Sequence, residues 1–216
     1  MSKILALDSE TTGIGKEDVV VELGYIDLPE LTFLKDLFKD YNLNLLLQGL
    51  QADSYEERFF PPVPINRRAT EIHGILFKDL FGKRKSSEVA IPEDIEYLLC
   101  HNGQFDIRML KQSNDRLIPL LDKVKLIDTM VLAKTLKKNL KLTYENVQLG
   151  TLVKFYYPND WEKLIQKNHA ALSDCKKTVL VLVKLLENLP HIKTWGELYD
   201  FQQSVKTPGK IKKEKI

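Results

Sequence analysis

The chain has 216 residues, 44% of them hydrophobic and 29% charged, with a formal net charge of +2. One domain with a sizeable core is the default at this length, and the balanced charge excludes a coat protein that neutralises many phosphates at once. No segment reaches the roughly 18 continuous apolar residues of a membrane helix, and acidic residues come too early for a secretory signal, so a cytoplasmic protein with no membrane partner is expected.

In chain order, Lys3 to Leu7 is a short apolar run that predicts a strand ending in a polar turn at Asp8-Ser9-Glu10-Thr11-Thr12-Gly13. Val19 to Leu28 has strand composition and is expected to pair with it. Pro29 to Leu50 carries partial helical spacing at Leu31, Leu34, Leu37 and Phe38, and reads as an inserted helix. Tyr55 to Phe60 predicts a strand closed by prolines. Asn66 is placed to cap a short helix that ends at His73-Gly74, and Gly82 to Ser87 reads as a mobile basic loop.

Ile95 to Cys100 predicts a strand, and His101-Asn102-Gly103-Gln104 turns into a helix carrying Phe105, Met109 and Leu110. A strand at Val124–Asp128 is followed by a helix from Thr129 to about Lys137. Further helices are expected near Val147–Tyr156, Ala170–Asn188 and Trp195–Gln203, and the lysine-rich tail from Lys206 is expected to fray. Strands first, then alternating helices and strands, predict an α/β domain on a mixed sheet flanked by helices. The division expected is a main domain over 1–190, with an insertion at about 29–50, and a closing helix and basic tail over 191–216.

Three places put acids at strand ends or helix starts: Asp8 with Glu10, Asp106, and Asp174. Taken singly, each is an ordinary solvated terminus. Residues two apart on a strand share a face, so Asp8 and Glu10 project together, which two negative side chains resist unless a cation joins them. Four carboxylates without a cysteine or histidine pair favour a hard cation, Mg²⁺ or Mn²⁺. In a two-metal site the ions lie roughly 3.5–4 Å apart, one activating water and the other stabilising the leaving oxygen. His169, five residues ahead of Asp174, is then the natural base for the water's proton. The two cysteines, Cys100 and Cys175, match no zinc spacing and read as free buried thiols.

D-S-E-T-T-G at 8–13, H-N-G-Q-F-D-I-R-M-L at 101–110 and H-A-A-L-S-D-C-K-K-T at 169–178 resemble the three motifs of the DEDDh 3′→5′ exonucleases, DnaQ-like enzymes with an RNase H-like fold. A-T-E-I-H-G-I at 69–75 resembles a further recurring stretch of that family, and I-D-T-M-V-L-A-K at 127–134 is similar to exonuclease X-type members. The resemblance covers about residues 3–188. It implies two divalent ions: Asp8, Glu10 and Asp174 hold the nucleophile-side ion, Asp8 bridges to the second, and Asp106 binds that second ion through water. It makes His169 the general base, lines the terminal nucleotide with Thr11 and Thr12, and shapes the pocket around the 3′ end with Asn102 and Phe105.

Two features depart from the family pattern. Gly103-Gln104 is a polar, flexible version of a turn that usually carries a small apolar residue, and the 29–50 insertion has no matching counterpart. The insertion and the basic tail are candidate docking elements for a protein partner.

The expected function is release of nucleoside monophosphates from a DNA 3′ end, single-stranded, in repair or proofreading. Within the same chemistry, an exoribonuclease of RNase T or oligoribonuclease type is the alternative, since contacts to the 2′-OH decide it. A non-catalytic nucleic-acid-binding module is the alternative from another class, and the intact five residues argue against it.

Overall fold

A computed structural model describes residues 3–37, 43–165 and 169–206. The lysine-rich tail beyond 206, expected to fray, and residues 38–42 of the insertion lie outside the described residues.

Among the described residues, five strands form one mixed sheet: β1 (Lys3–Thr11), β2 (Val20–Leu28), β3 (Ser54–Arg58), β4 (Ile95–Cys100) and β5 (Lys125–Asp128), in the order β3-β2-β1-β4-β5. β2 runs antiparallel to β1 and β3, while β4 and β5 run parallel to β1. The apolar run Ile4 to Leu7 is buried on both faces, which suits a central strand. Contrary to expectation, β1 does not stop at Leu7. It continues to Thr11, paired with β2 throughout, so the acidic motif is itself strand. The alternation of β1 decides what each residue meets. Ile4 and Ala6 face one core cluster, Leu5 and Leu7 the other. Asp8 and Glu10 continue the first series.

That first face is covered by α9 (Ala171–Leu186), whose Cys175, Val179, Leu180 and Leu182 are fully buried. α9 sits unusually close to β2. A Cβ on Gly24 would lie 2.4 Å from the backbone nitrogen of Leu172 and 2.7 Å from the carbonyl carbon of Ala171, and the Cys175 thiol donates to the Gly24 carbonyl at 3.2 Å. The other face is covered by α4 (Gln104–Ser113), through Ile107, Met109 and Leu110.

The described residues of the insertion form two helices, α1 (Leu31–Leu37) and α2 (Leu43–Ala52). Leu31 and Leu34 are buried in the same cluster as α9, Trp195 donates its indole N–H to the Pro29 carbonyl, and Lys35 donates to Ile192. The start of the insertion is thus packed into the body of the fold. α3 (Arg67–His73) begins where expected, with Asn66 accepting from the Arg68 N–H at 2.9 Å, and ends at Gly74 in the left-handed conformation.

The basic segment 82–87 is pinned rather than loose. Phe60 bridges to Lys85, Arg84 is paired with Glu57, and the Ser86 hydroxyl donates to Val20. Ser86 starts a 3-10 turn to Glu88.

After β4 and α4 come a 3-10 turn (Asp115–Leu117) and the single turn α5 (Ile118–Leu121), neither foreseen. β5 leads into α6 (Thr129–Leu140), then α7 (Leu149–Tyr156), the short α8 (Trp161–Ile165), α9 and α10 (Trp195–Lys206). Trp195 and Leu198 of α10 belong to the α9 core cluster. Gln202 lies along β5, accepting from the Asp128 N–H at 2.7 Å and donating to the Leu126 carbonyl at 2.8 Å. Among the described residues no helix is long and apolar enough to cross a membrane.

Candidate active site

In open α/β sheets the carboxyl ends of strands, at the point where chain connections diverge, are where ligands collect. Here that place is the end of β1, between antiparallel β2 and parallel β4, and three elements carry the four predicted acids to it.

Asp8 and Glu10 arrive on β1. Asp174 arrives in the first turn of α9, and the close seating of that helix on Gly24 brings it over the sheet. Asp106 arrives in the first turn of α4, from the opposite side. One oxygen of Asp106 accepts both the backbone N–H of Ser9 at 3.0 Å and the Ser9 hydroxyl at 2.8 Å. Ser9 sits between Asp8 and Glu10 and points to the α4 side, so the strand that presents two acids also holds the third.

One ligand atom each from Glu10, His169 and Asp174 lies within 4.8 Å of the others. The ionisation of Asp8 and Asp106 is tied to that group. Burial, then the charges of Asp106, Asp174 and Glu10, push the Asp8 carboxyl well above the usual carboxylate range. Burial, then Asp174 and Glu22, raise Glu10 to about 8. Asp106 rises to about 7 because burial outweighs the two Ser9 hydrogen bonds that pull it down. Three carboxyls that resist ionisation in one place form a site that gains from added positive charge.

Some positive charge is already present. Lys177, one turn beyond Asp174, is 2% exposed and donates to the Asp174 carboxylate at 2.6 Å. Nothing in the local pattern marks it, because Lys176-Lys177 in an amphipathic helix reads as solvated surface.

His169 stands just ahead of α9, exposed, with φ 58°. Left-handed backbone is uncommon for a residue with a side chain. Asn102 shares that conformation, with φ 70°, and is also exposed. Its turn is fixed by Asp128, which accepts from the N–H groups of Asn102, Gly103 and Met130 at 3.0, 3.2 and 2.9 Å. In the sequence Asp128 is the last residue of a predicted strand, and its place just before a helix is the signal for a cap. Phe105 is half-buried, with the Arg108 guanidinium 5.4 Å from its ring centre.

The turn at Gly103 is not a flexible variant. A Cβ there would lie 2.5 Å from that of Cys100 and 2.6 Å from a Leu126 methyl, so glycine is present for want of space. Cys100 and Cys175 are free and buried, as expected.

The two threonines differ. Thr11 donates its hydroxyl to the Gly13 carbonyl, and its own carbonyl meets His73 Nε2 at 3.2 Å. Since His73 Nδ1 accepts from the Ile75 N–H, Nε2 carries the proton, and burial pushes the His73 pKa down. Thr12 is fully buried, and its hydroxyl donates to Asp18 and accepts from the Val19 N–H. Its backbone bonds Val19 and Asn66. Thr12 therefore belongs to the turn that returns the chain to β2 rather than to the surface of the site.

Glu22, opposite Glu10 on β2, is also buried. It accepts from Arg58 at 3.0 Å and from the Ala171 N–H at 3.4 Å, joining β3 to the start of α9. An acid inside the apolar run V-V-V-E-L was the signal the sequence offered.

No family model matches the chain. Among curated proteins it is similar to the PolC-type DNA polymerase III of Thermotoga petrophila, 28% identical over 198 residues, and to that of Caldanaerobacter subterraneus subsp. tengcongensis, 25% identical over 196 residues. These alignments take in 87% and 88% of the chain but only 12% of either polymerase. Among solved structures, exonuclease X in complex with 5′ overhanging duplex DNA superimposes with a TM-score of 0.61 at 22% identity, covering 92% of this chain and 99% of that one. The zinc-bound E. coli exonuclease I–single-stranded DNA complex gives 0.64 at 14% identity, over 93% of this chain and 42% of that one. The chain thus has the RNase H-like mixed-sheet fold of exonucleases X and I, the DEDDh proteins that its three motifs resemble.

Proposed function

We propose that the chain is a divalent-metal-dependent 3′→5′ exonuclease that removes nucleoside monophosphates from a single-stranded DNA 3′ end, in repair or proofreading. The observation that carries this reading is the gathering of Asp8, Glu10, Asp106 and Asp174 at the end of β1, with His169 beside two of them. Similarity to PolC-type DNA polymerases and the fold shared with DNA-bound exonucleases support DNA as the strand.

The donor set fits Mg²⁺ or Mn²⁺: carboxylate oxygens, no thiolate, and three carboxyls held above their usual range by burial first and then by neighbouring carboxylates. Asp8, Glu10 and Asp174 would hold one ion, and Asp8 with Asp106 a second. When bound, such a pair supplies activation of a water and stabilisation of the leaving 3′ oxygen. The chain's own residues do the rest. Ser9 fixes the Asp106 oxygen, and Glu22 and Gly24 seat α9 so that Asp174 stands over β1. The exposed imidazole of His169 takes the proton from the attacking water. Asn102 and Phe105, on the turn held by Asp128, flank the terminal nucleotide, and Thr11 backs it through His73.

The strand leading into the site would pass over Phe77 and Phe81, two exposed rings in edge contact at 5.7 Å. They lie four and eight residues beyond His73, beside Lys83 and Lys85, and offer stacking with nearby positive charge.

The test is incubation with Mg²⁺ or Mn²⁺ and 5′-labelled single-stranded DNA, duplex DNA and RNA. A ladder shortening from the 3′ end, strongest on single-stranded DNA and abolished by EDTA, is expected. Preference for RNA would make the chain an exoribonuclease. Binding without cleavage in either metal would leave only the non-catalytic alternative.

A further inference from the structure

Among the described residues, Lys177 is the only buried lysine. It reaches Asp174 from the same helix, three residues on, where both side chains lie on one face. Its charge also acts on Asp8 and Glu10, lowering the cost of ionising each. A lysine is buried in this way only when paired, and here it is paired with an acid that the proposed function assigns to a metal ion.

From this geometry we infer that Lys177 is a tethered counter-cation. In the metal-free protein it holds Asp174 and relieves the mutual repulsion of the carboxylates, and it must give up Asp174 when a divalent ion binds. The inference rests on the metal-dependent reading of the site. Its consequence is that the chain sets its own metal affinity below what its carboxylates would otherwise provide. The ion that Asp174 would hold must displace an ammonium already in contact with that ligand, and a +1 charge left nearby repels the +2 charge that arrives. Lys177 is thus a positioning residue that acts through Asp174, and it keeps the empty site folded and ready.

The alternative is that Lys177 serves packing alone, its four-carbon stem filling the α9 core. Lys177→Met keeps a long apolar stem and deletes the charge, while Lys177→Arg keeps the charge. Metal-stripped protein, without nucleic acid, is titrated with Mn²⁺ by calorimetry, and melting temperature is followed with and without Mn²⁺. Lys177→Met is expected to melt lower than wild type without metal, to bind Mn²⁺ about tenfold more tightly or better, and to gain more in melting temperature from saturating Mn²⁺ than wild type does. Lys177→Arg should stay near wild-type affinity.

Unchanged or weaker Mn²⁺ binding by Lys177→Met overturns the inference. So does failure of that variant to fold in saturating Mn²⁺, because an arriving ion should replace the missing charge. Wild-type protein that binds no Mn²⁺ at all would instead remove the metal reading of the site, which is a different result.

Discussion

Ser9 gives two hydrogen-bond donors to a single oxygen of Asp106, one from its backbone and one from its side chain. The backbone donor comes with strand β1 and survives any substitution except proline. The hydroxyl does not. Ser9→Ala should leave the melting temperature nearly unchanged while lowering activity or metal affinity by about 10–100-fold, the usual effect of losing a group that orients a ligand. Activity and Mn²⁺ binding measured on the same preparation check this; wild-type values for both would mean that Asp106 needs no orienting.

His169 offers a separation of stability from chemistry. It is exposed and left-handed, so a glycine there relieves backbone cost while removing the imidazole. His169→Gly should melt at or above the wild-type temperature and lose roughly 10²–10⁴ in rate. A fast His169→Gly enzyme would place the base elsewhere.

Gly24 carries the seating of α9. Gly24→Ala puts a methyl 2.4 Å from a backbone nitrogen that cannot turn aside. Overpacking of this kind costs about 1–3 kcal/mol, and at this chain length each kcal/mol lowers the melting temperature by about 2–4 °C. Asp174 and His169 move with the helix, so activity measured well below the melting point should fall as well. A drop in melting temperature with full activity would show that the site tolerates a shifted helix.

The raised carboxyls make a prediction about pH. A group whose pKa is higher folded than unfolded takes up a proton on folding between the two values, so stability falls as pH rises through that interval. For Glu10 the interval runs from 4.5 to about 8, and for Asp106 from 3.8 to about 7. In EDTA the melting temperature should therefore decline from about pH 5 to about pH 8. Saturating Mg²⁺, which binds the ionised carboxylates, should flatten or reverse the decline. A flat metal-free profile would show that the cluster ionises without penalty.

Phe77→Ala with Phe81→Ala tests the path of the strand. Loss of stacking at about 1–3 kcal/mol per base should raise KM for long single strands and leave cleavage of a dinucleotide unchanged. Equal effects on both substrates would place the strand on another face.

What could be read from the sequence was mostly what local contacts decide. Asn66 and Gly74 bracket α3 through bonds within a few residues, and the apolar spacing of α9 announces its buried face. The extension of β1 through Asp8 and Glu10 was hidden because polar residues aimed at a site look like the start of a turn. Segment 82–87 looked loose because its restraints, Glu57, Val20 and Phe60, lie 24 or more positions away. The four acids and His169 were legible as motifs, but the parts that hold them were not. Glu22, Asp128 and Lys177 act across the sheet or from inside a helix, where composition does not distinguish a buried charge from a solvated one.

Gln202 has a consequence for the molecule among its own copies. β5 ends the sheet, and a bare strand margin invites a strand from a neighbouring chain. The Gln202 amide takes that position itself, offering one donor and one acceptor at the spacing a sixth strand would use. Along those two groups the margin is closed, and a concentrated solution of the protein has no template there from which to grow a continuous sheet.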